Sequence, residues 1–238
     1  MSLSDMPRNK TLKSSTLESR LLGAISGIRH GFGTRKEAIS GAFTPLWQDA
    51  KKPQWKQVHG TACAEVKHPA QACGEVDGLW SRESASAVAV VTADCVPILL
   101  ARRDGSAVAA VHAGWRGTQA RILEKLFREH LIPAGEKPWN WIAAIGPCAK
   151  PCCYEVSPEL AEEFKKNFGE IVVPKPRKID LVRSNVLQLE ALGIEEVDTQ
   201  TAHCTICTRD DAGQFAFHSY RRDGSGGRQF SLISRVSE

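Results

Sequence analysis

The stretch VTADCVPILLARRDGSAVAAVHAGWRGT, residues 91–118, decides the reading of this chain. Two apolar runs, 96–102 and 106–113, flank Asp104-Gly105, a dipeptide that favours a tight hairpin because it tolerates positive φ. Cys95 stands at the outer end of the first run and His112 near the outer end of the second. With a two-residue turn, Arg103 faces Ser106, His112 faces Pro97 and Cys95 faces Gly114. Side chains alternate along a strand, so Cys95 and His112 then sit diagonally on one face, their backbones roughly 7 Å apart. Zinc lies about 2.3 Å from a thiolate and about 2.0 Å from an imidazole, so one ion spans that gap. A three-residue turn would put the two on opposite faces, since a slip of one residue flips a strand. Pro97 removes a ladder donor and implies a bend beside Cys95.

Working outward, five more segments read as strands: 86–91, 139–146, 195–202, 214–221 and 228–236. Three read as helices. Residues 118–132 place Ile122, Leu123, Leu126, Phe127 and Leu131 on one face. Residues 157–169 begin with Ser157 as cap and Pro158 in the first turn, and stop at Gly169. Residues 180–193 run from the cap Asp180 to the stop Gly193. The strands come in runs and do not alternate strictly with helices. That pattern predicts an α+β fold, with mixed β-sheets packed together and helices on the outer faces. Residues 1–20 read as a polar leader, and residues 21–238 as a single domain with no internal repeat or long linker.

The net charge of +4 is mild and the arginines are scattered, apart from YRRDGSGGR near the C-terminal end. Nucleic-acid binders concentrate their charge, so no nucleic-acid partner is expected. No apolar run is long enough to span a bilayer, so no membrane association is expected, and the cytoplasm is the expected location. Eight cysteines in a 238-residue chain are not needed as disulfide staples. In a reducing compartment they are buried, metal-bound or catalytic.

A third ligand for the Cys95–His112 pair can come from QVHG, residues 57–60, as His59. The alternative is a hydrogen-bonded loop histidine, and no local zinc-finger spacing decides between them. CTIC, 204–207, has the spacing of a redox pair or half a zinc site. No second CxxC exists and PCC, 151–153, is not one, so these cysteines read as buried thiols, with Cys148 and Cys204 as further candidates to line a pocket. His203 and His218 read as strand histidines. Trp80 and Trp115 are candidates to stack on a planar base, or core residues. Asp94 points away from the Cys95 face by alternation and reads as a residue that holds the ligand loop through hydrogen bonds. Asp77 reads as a turn residue, or as the group that orients a ligand histidine.

These residues fall into a recognisable set. GFGTR (31–35), QVHG (57–60), DGLW (77–80), TADCVPILL (92–100), VHAGWRGT (111–118), IGPC and CYEV (145–156), CTIC (204–207) and HSYRRDG with GRQFSLI (218–233) resemble the YfiH family. That family is also called the laccase-domain or multicopper polyphenol oxidase family. The resemblance implies layered α/β/β/α architecture and a zinc site built from His59, Cys95 and His112. It implies purine nucleoside phosphorylase activity on adenosine, inosine and methylthioadenosine, with adenosine deaminase activity. Its partners would be a purine nucleoside and phosphate. Bacterial members are tied to peptidoglycan editing, and the older name carries a copper label.

Three protein ligands leave a fourth tetrahedral position open, the pattern of a catalytic zinc. A phosphate nucleophile needs fixed cations, which makes Arg35, Arg116 and Arg221 the phosphate-binding candidates, with Arg222 and Arg228 behind them. Arg116 gains from a helix start beside Gly114 and Gly117. A second reading uses Cys95 as nucleophile and His112 as base in a hydrolase acting on peptidoglycan precursors. Copper-dependent phenol oxidation ranks last, because seven scattered histidines lack the local pairs such centres use.

Overall fold

Alternation with a period of two builds most of the core. The structure is a computed structural model that describes residues 12, 16–37, 47, 51–84, 86–224 and 226–236. Among these, the strands are β1 (Thr16–Leu17), β2 (Ile28–Gly33), β3 (Gln54–Lys56), β4 (Cys63–Glu65), β5 (Ala72–Glu75), β6 (Gly78–Ser81), β7 (Ala87–Thr92), β8 (Val96–Arg102), β9 (Val108–Ala113), β10 (Trp141–Ile145), β11 (Val197–Asp198) and β12 (Gln229–Arg235). They form a six-stranded mixed sheet, β11-β10-β8-β9-β6-β4, a four-stranded sheet, β1-β2-β12-β7, and a parallel pair, β3-β5.

The hairpin β8–β9 has the expected register, with Val96 opposite Ala113 and Pro97 opposite His112. Its turn is wider than two residues. The Arg102 N–H donates to the Ala107 carbonyl, and the Gly105 N–H donates to the Arg102 carbonyl. The loop is therefore 103–106, and an even loop length preserves the shared face. Gly105 has φ +71°, and a Cβ there would stand 2.6 Å from the Ser26 carbonyl oxygen. Glycine is needed both for the conformation and for the close approach.

The two faces of the six-stranded sheet meet different layers. Val96, Ile98, Leu100, Val111, Trp141 and Ile145 face the helices and pack with Ile122, Leu126, Phe127, Phe164 and Leu189. Leu99, Ala101, Val108, Ala110 and Ala144 face the four-stranded sheet and meet Phe32, Val88, Val90 and Ile233. Each fully buried Val, Leu, Ile or Phe among them contributes about 1.5–3 kcal/mol. At Gly146 a Cβ would lie 2.1 Å from Phe32 Cδ1, so this glycine lets the aromatic ring wedge between the sheets. The fold is α+β, with the long helices on one outer face. Among the described residues the opposite face carries Trp47, Trp55 and Phe230.

Two of the three expected helices match closely. α4 (Pro158–Phe168) starts at Ser157, whose hydroxyl accepts the Leu160 N–H. α5 (Leu181–Leu192) starts at Asp180, which accepts the Arg183 N–H, and ends at Gly193 with φ +89°. These follow α1 (Arg20–Gly23), α2 (Trp115–Gln119) and α3 (Ile122–Lys125), and precede α6 (Tyr220–Asp223). The expected helix 118–132 is broken. It starts earlier as α2, is interrupted where Arg121 adopts φ +62°, resumes as α3 and finishes as a π-helical turn over Leu126–Leu131. Its apolar face is nonetheless fully buried.

Three expectations need correction. Segment 214–221 is not a strand: it makes one isolated bridge, Arg209 with Phe215, and then turns into α6. The Arg222 guanidinium binds the Thr205, Ile206 and Phe217 carbonyls, which fastens this loop without a strand partner. His218 is accordingly a loop histidine. Segment 195–202 shrinks to β11, because the Ala202 N–H closes a turn onto the Thr199 carbonyl. The supposed leader is partly built into the fold: Leu12 bridges Asp210, β1 pairs with β2, and Ser19 is buried. The other residues of 1–15 lie outside the described residues. Among the described residues, no helix is long and apolar enough to cross a membrane.

Candidate active site

The start of β8, the end of β9 and the 57–60 turn converge on a cavity of about 730 Å³. His59, Cys95 and His112 line it, and one donor atom from each lies within 4.8 Å of the others. The two imidazoles meet edge to face, centroids 4.9 Å apart at 79°. Gly114 makes the room: a Cβ there would stand 3.1 Å from Cys95 Sγ and 3.4 Å from His59 Cδ2.

Two non-glycine residues in the left-handed region bend the chain here, His59 at φ +61° and Asp94 at φ +94°. Such conformations persist only where surrounding bonds hold them. Asp94 accepts from Thr205 Oγ1 at 2.6 Å, Ser219 Oγ at 3.1 Å and the Arg221 N–H at 2.7 Å. The Asp94 carbonyl accepts the Ala149 N–H at 2.9 Å. Asp94 thus holds the Cys95 loop through hydrogen bonds, as alternation implied. On the other side, the buried Asp77 carboxylate accepts the backbone N–H groups of Val58, His59 and Gly60 and bonds His112 Nδ1 at 2.7 Å. One carboxylate therefore shapes the His59 turn and orients the His112 ring. The Gln57 amide bonds both the N–H and the carbonyl of Val91, tying that turn to β7.

The electrostatics follow from this packing. Burial pushes the Cys95 thiol up, but hydrogen bonds and charge from His112 and His59 outweigh it and bring the pKa down to about 6. Burial pushes His112 down, yet its bonds to Asp77 and Cys95 raise it to about 9. Burial also opposes ionisation of Asp77, and its four donors hold it below the ordinary carboxylate value. These shifts favour a thiolate at Cys95 beside a protonated His112, backed by the Asp77 carboxylate. With Nδ1 donating to Asp77, the His112 Nε2 is left for the centre. Two imidazoles and a thiolate with donors this close fit a three-ligand zinc site.

Arg116 and Arg221 line the cavity, as does Arg228. Arg35 does not: its guanidinium pairs with Asp223 at 3.7 Å and its N–H is bound to the Ala216 carbonyl. The helix beginning beside Arg116 has five residues, so its macrodipole is small and any anion there depends on side chains. Trp115 is at the cavity, whereas Trp80 is buried in the core. Tyr154 and Tyr220 also line the wall. Sequence reasoning missed both, although Tyr154 stands inside the CYEV motif. Arg221 lies over the Tyr154 ring at 5.0 Å, and burial pushes the phenol up to about 12.

The remaining cysteines divide. Cys63 and Cys148 are buried, and burial raises both thiols, Cys63 to about 12. The buried-thiol reading fails for Cys152 and Cys207, which are exposed with sulfurs 3.8 Å apart. Cys153 and Cys204 gather beside them, and neither Cys148 nor Cys204 lines the cavity. Single-chain spacing hid this group because its halves lie some fifty residues apart, 55 between Cys152 and Cys207.

Fold and site define a layered α+β protein with a His–Cys–His centre at one end of its sheets. Residues 35–236 match the family described as multi-copper polyphenol oxidoreductase laccase, and the chain belongs to that family. It is 33% identical over 223 residues to the purine nucleoside phosphorylase YfiH of Shigella flexneri, covering 91% of this chain and 86% of that protein. It is 37% identical over 169 residues to an adenosine deaminase, RL5, from an unknown prokaryotic organism, covering 67% of this chain and 62% of that one. The crystal structure of YlmD from Geobacillus stearothermophilus has the same fold, with a TM-score of 0.79 at 24% identity, over 96% of this chain and 99% of that one.

Proposed function

We propose that this chain is a purine nucleoside phosphorylase that also deaminates adenosine, with zinc held by His59, Cys95 and His112. The observation that carries the reading is the convergence of these three donors on one cavity beside Arg116 and Arg221. The named activities of the relatives point the same way. Bound by these three residues, the ion would supply a Lewis acid.

The protein's own groups account for the rest of the arrangement. Arg116 and Arg221 supply cationic donors for the phosphate that attacks the anomeric carbon as the bond to the base breaks. Trp115 and Tyr154 line the same wall and carry these arginines, Arg116 over the Trp115 ring at 4.5 Å and Arg221 over the Tyr154 ring at 5.0 Å. Asp77 keeps His112 in one tautomer, and Asp94 anchors the backbone of Arg221 beside the centre. Arg35 has no part in this arrangement. A reducing cytoplasm suits a site that depends on a free thiol.

Chromatographic assay of inosine and adenosine, with and without phosphate, tests the proposal. Phosphate-dependent release of hypoxanthine from inosine is expected, together with phosphate-independent conversion of adenosine to inosine. Turnover of inosine to hypoxanthine at the same rate without phosphate would overturn it. Elemental analysis of the same preparation identifies the metal.

A second reading has one observation in its favour. Cys95, lowered to about 6 and bonded to a His112 that Asp77 orients, has the form of a nucleophile–base–carboxylate set. On that reading the chain is a Cys–His hydrolase acting on a peptidoglycan precursor. Added zinc would then inhibit, and an alkylating substrate analogue would label Cys95.

A further inference from the structure

We propose a second metal centre in which Cys152, Cys153, Cys204 and Cys207 hold one zinc ion as four thiolates. None of the four lines the cavity, and the inference does not depend on the nucleoside chemistry.

Geometry is the first support. All four sulfurs lie within 4.8 Å of one another, and those of Cys152 and Cys207 are 3.8 Å apart. Four zinc–sulfur bonds of about 2.3 Å in a tetrahedron set the sulfurs about 3.8 Å from each other. A disulfide needs about 2.05 Å, and all four cysteines are free.

The backbone is the second support. CTIC folds into a turn closed by the Thr208 N–H on the Cys204 carbonyl, which sets Cys204 and Cys207 toward one side. On the facing segment, the N–H groups of Cys153 and Tyr154 both bond to the Lys150 carbonyl. That tight turn lets the adjacent Cys152 and Cys153 supply two ligands without CxxC spacing. The two segments are joined by an isolated parallel β-bridge at Cys148 and Cys204, with Cys148 N–H to the His203 carbonyl and Thr205 N–H to the Cys148 carbonyl.

A soft tetrahedral set of four sulfurs selects zinc or iron, and four protein ligands leave no open position, which makes the centre structural. Binding is not a redox step. Four thiols lose four protons, four zinc–sulfur bonds form, and the product carries a net charge of −2. Exposure of Cys152 and Cys207 gives the ion a way in. The clamp bears on the cavity wall, because Cys153 precedes Tyr154 and Thr205 bonds Asp94.

The test is made on Cys95→Ala, which removes the central ligand of the first site and isolates the second. After expression with zinc and dialysis against a weak chelator, one zinc per chain is expected by elemental analysis. Cobalt loaded into Cys95→Ala should show the intense visible and sulfur-to-metal charge-transfer bands of a tetrahedral tetrathiolate. Both signals should vanish in Cys95→Ala carrying Cys152→Ser and Cys207→Ser. The cobalt spectrum decides the matter even where that triple variant fails to fold. Absence of bound zinc in Cys95→Ala, iron in its place, or an intact mass showing a disulfide would overturn the proposal. Failure of the nucleoside assay would leave these readings unaffected.

Discussion

The two clusters of sulfur-bearing ligands are built in opposite ways. His59, Cys95 and His112 come from three distant parts of the chain and meet at a cavity, oriented chiefly by side chains: Asp77 for the imidazole, Asp94 for the loop beside the thiol. The four cysteines come from two short turns closed by backbone hydrogen bonds, the Tyr154 N–H on the Lys150 carbonyl and the Thr208 N–H on the Cys204 carbonyl. The first arrangement stops at three donors and borders space for a substrate. The second supplies four and borders none. A donor set that stops short of completion beside a cavity is suited to chemistry, and a complete one is suited to holding turns together.

Substitutions break the comparison most sharply at the centre itself. Cys95→Ala or His112→Ala should reduce phosphorolysis to background while leaving the tetrathiolate cobalt spectrum intact. Cys207→Ser should do the reverse, removing that spectrum while phosphate-dependent activity persists. If it also cost about 2 kcal/mol, the melting temperature would fall by roughly 4–8 °C.

Asp77→Asn probes the side-chain support of the first centre. It keeps the shape but weakens the bond to His112 and the three turn contacts. Loss of such a partner typically costs about 10- to 100-fold in metal affinity or activity, and isothermal titration with zinc would show it.

Thiol titration sharpens the contrast further. In chelator-treated protein, the Cys95 thiolate predominates above its pKa of about 6 and is protonated below it. Its alkylation rate should therefore fall about tenfold per pH unit below that point. Cys63, raised to about 12, should stay inert across the same range. Peptide mass spectrometry after pulsed iodoacetamide labelling reads both at once. The smallest effect belongs to the rim. Arg116→Ala should raise the KM for phosphate on the order of tenfold, the scale of one charge-assisted hydrogen bond at an exposed position. Arg35→Ala should leave it unchanged, because that guanidinium pairs with Asp223 and does not line the cavity.

Much of the site was legible in residues 91–118. The turn proved wider than Asp104-Gly105, yet Cys95 and His112 still share a face, because loops of two and four residues have the same parity. The caps at Ser157 and Asp180 announced α4 and α5 for an equally local reason. Failures occurred where a distant group took over. Arg222 fastens the carbonyls around a loop that alternation had marked as a strand. Arg121, held in the left-handed region with its guanidinium on the distant Asn167 carbonyl, breaks a helix whose apolar face is uninterrupted.

The sequence by itself determined the register of the hairpin and the class of fold, since both follow from patterns a few residues apart, and it marked Cys95 and His112 as candidate donors on one face. Only the tertiary structure decided that Asp77 serves two histidines at once, that Arg35 is drawn to Asp223, and that an adjacent cysteine pair completes CTIC. Alternation and capping are short-range and periodic. Which separate turns meet depends on how whole sheets and helices pack, and no local spacing records that.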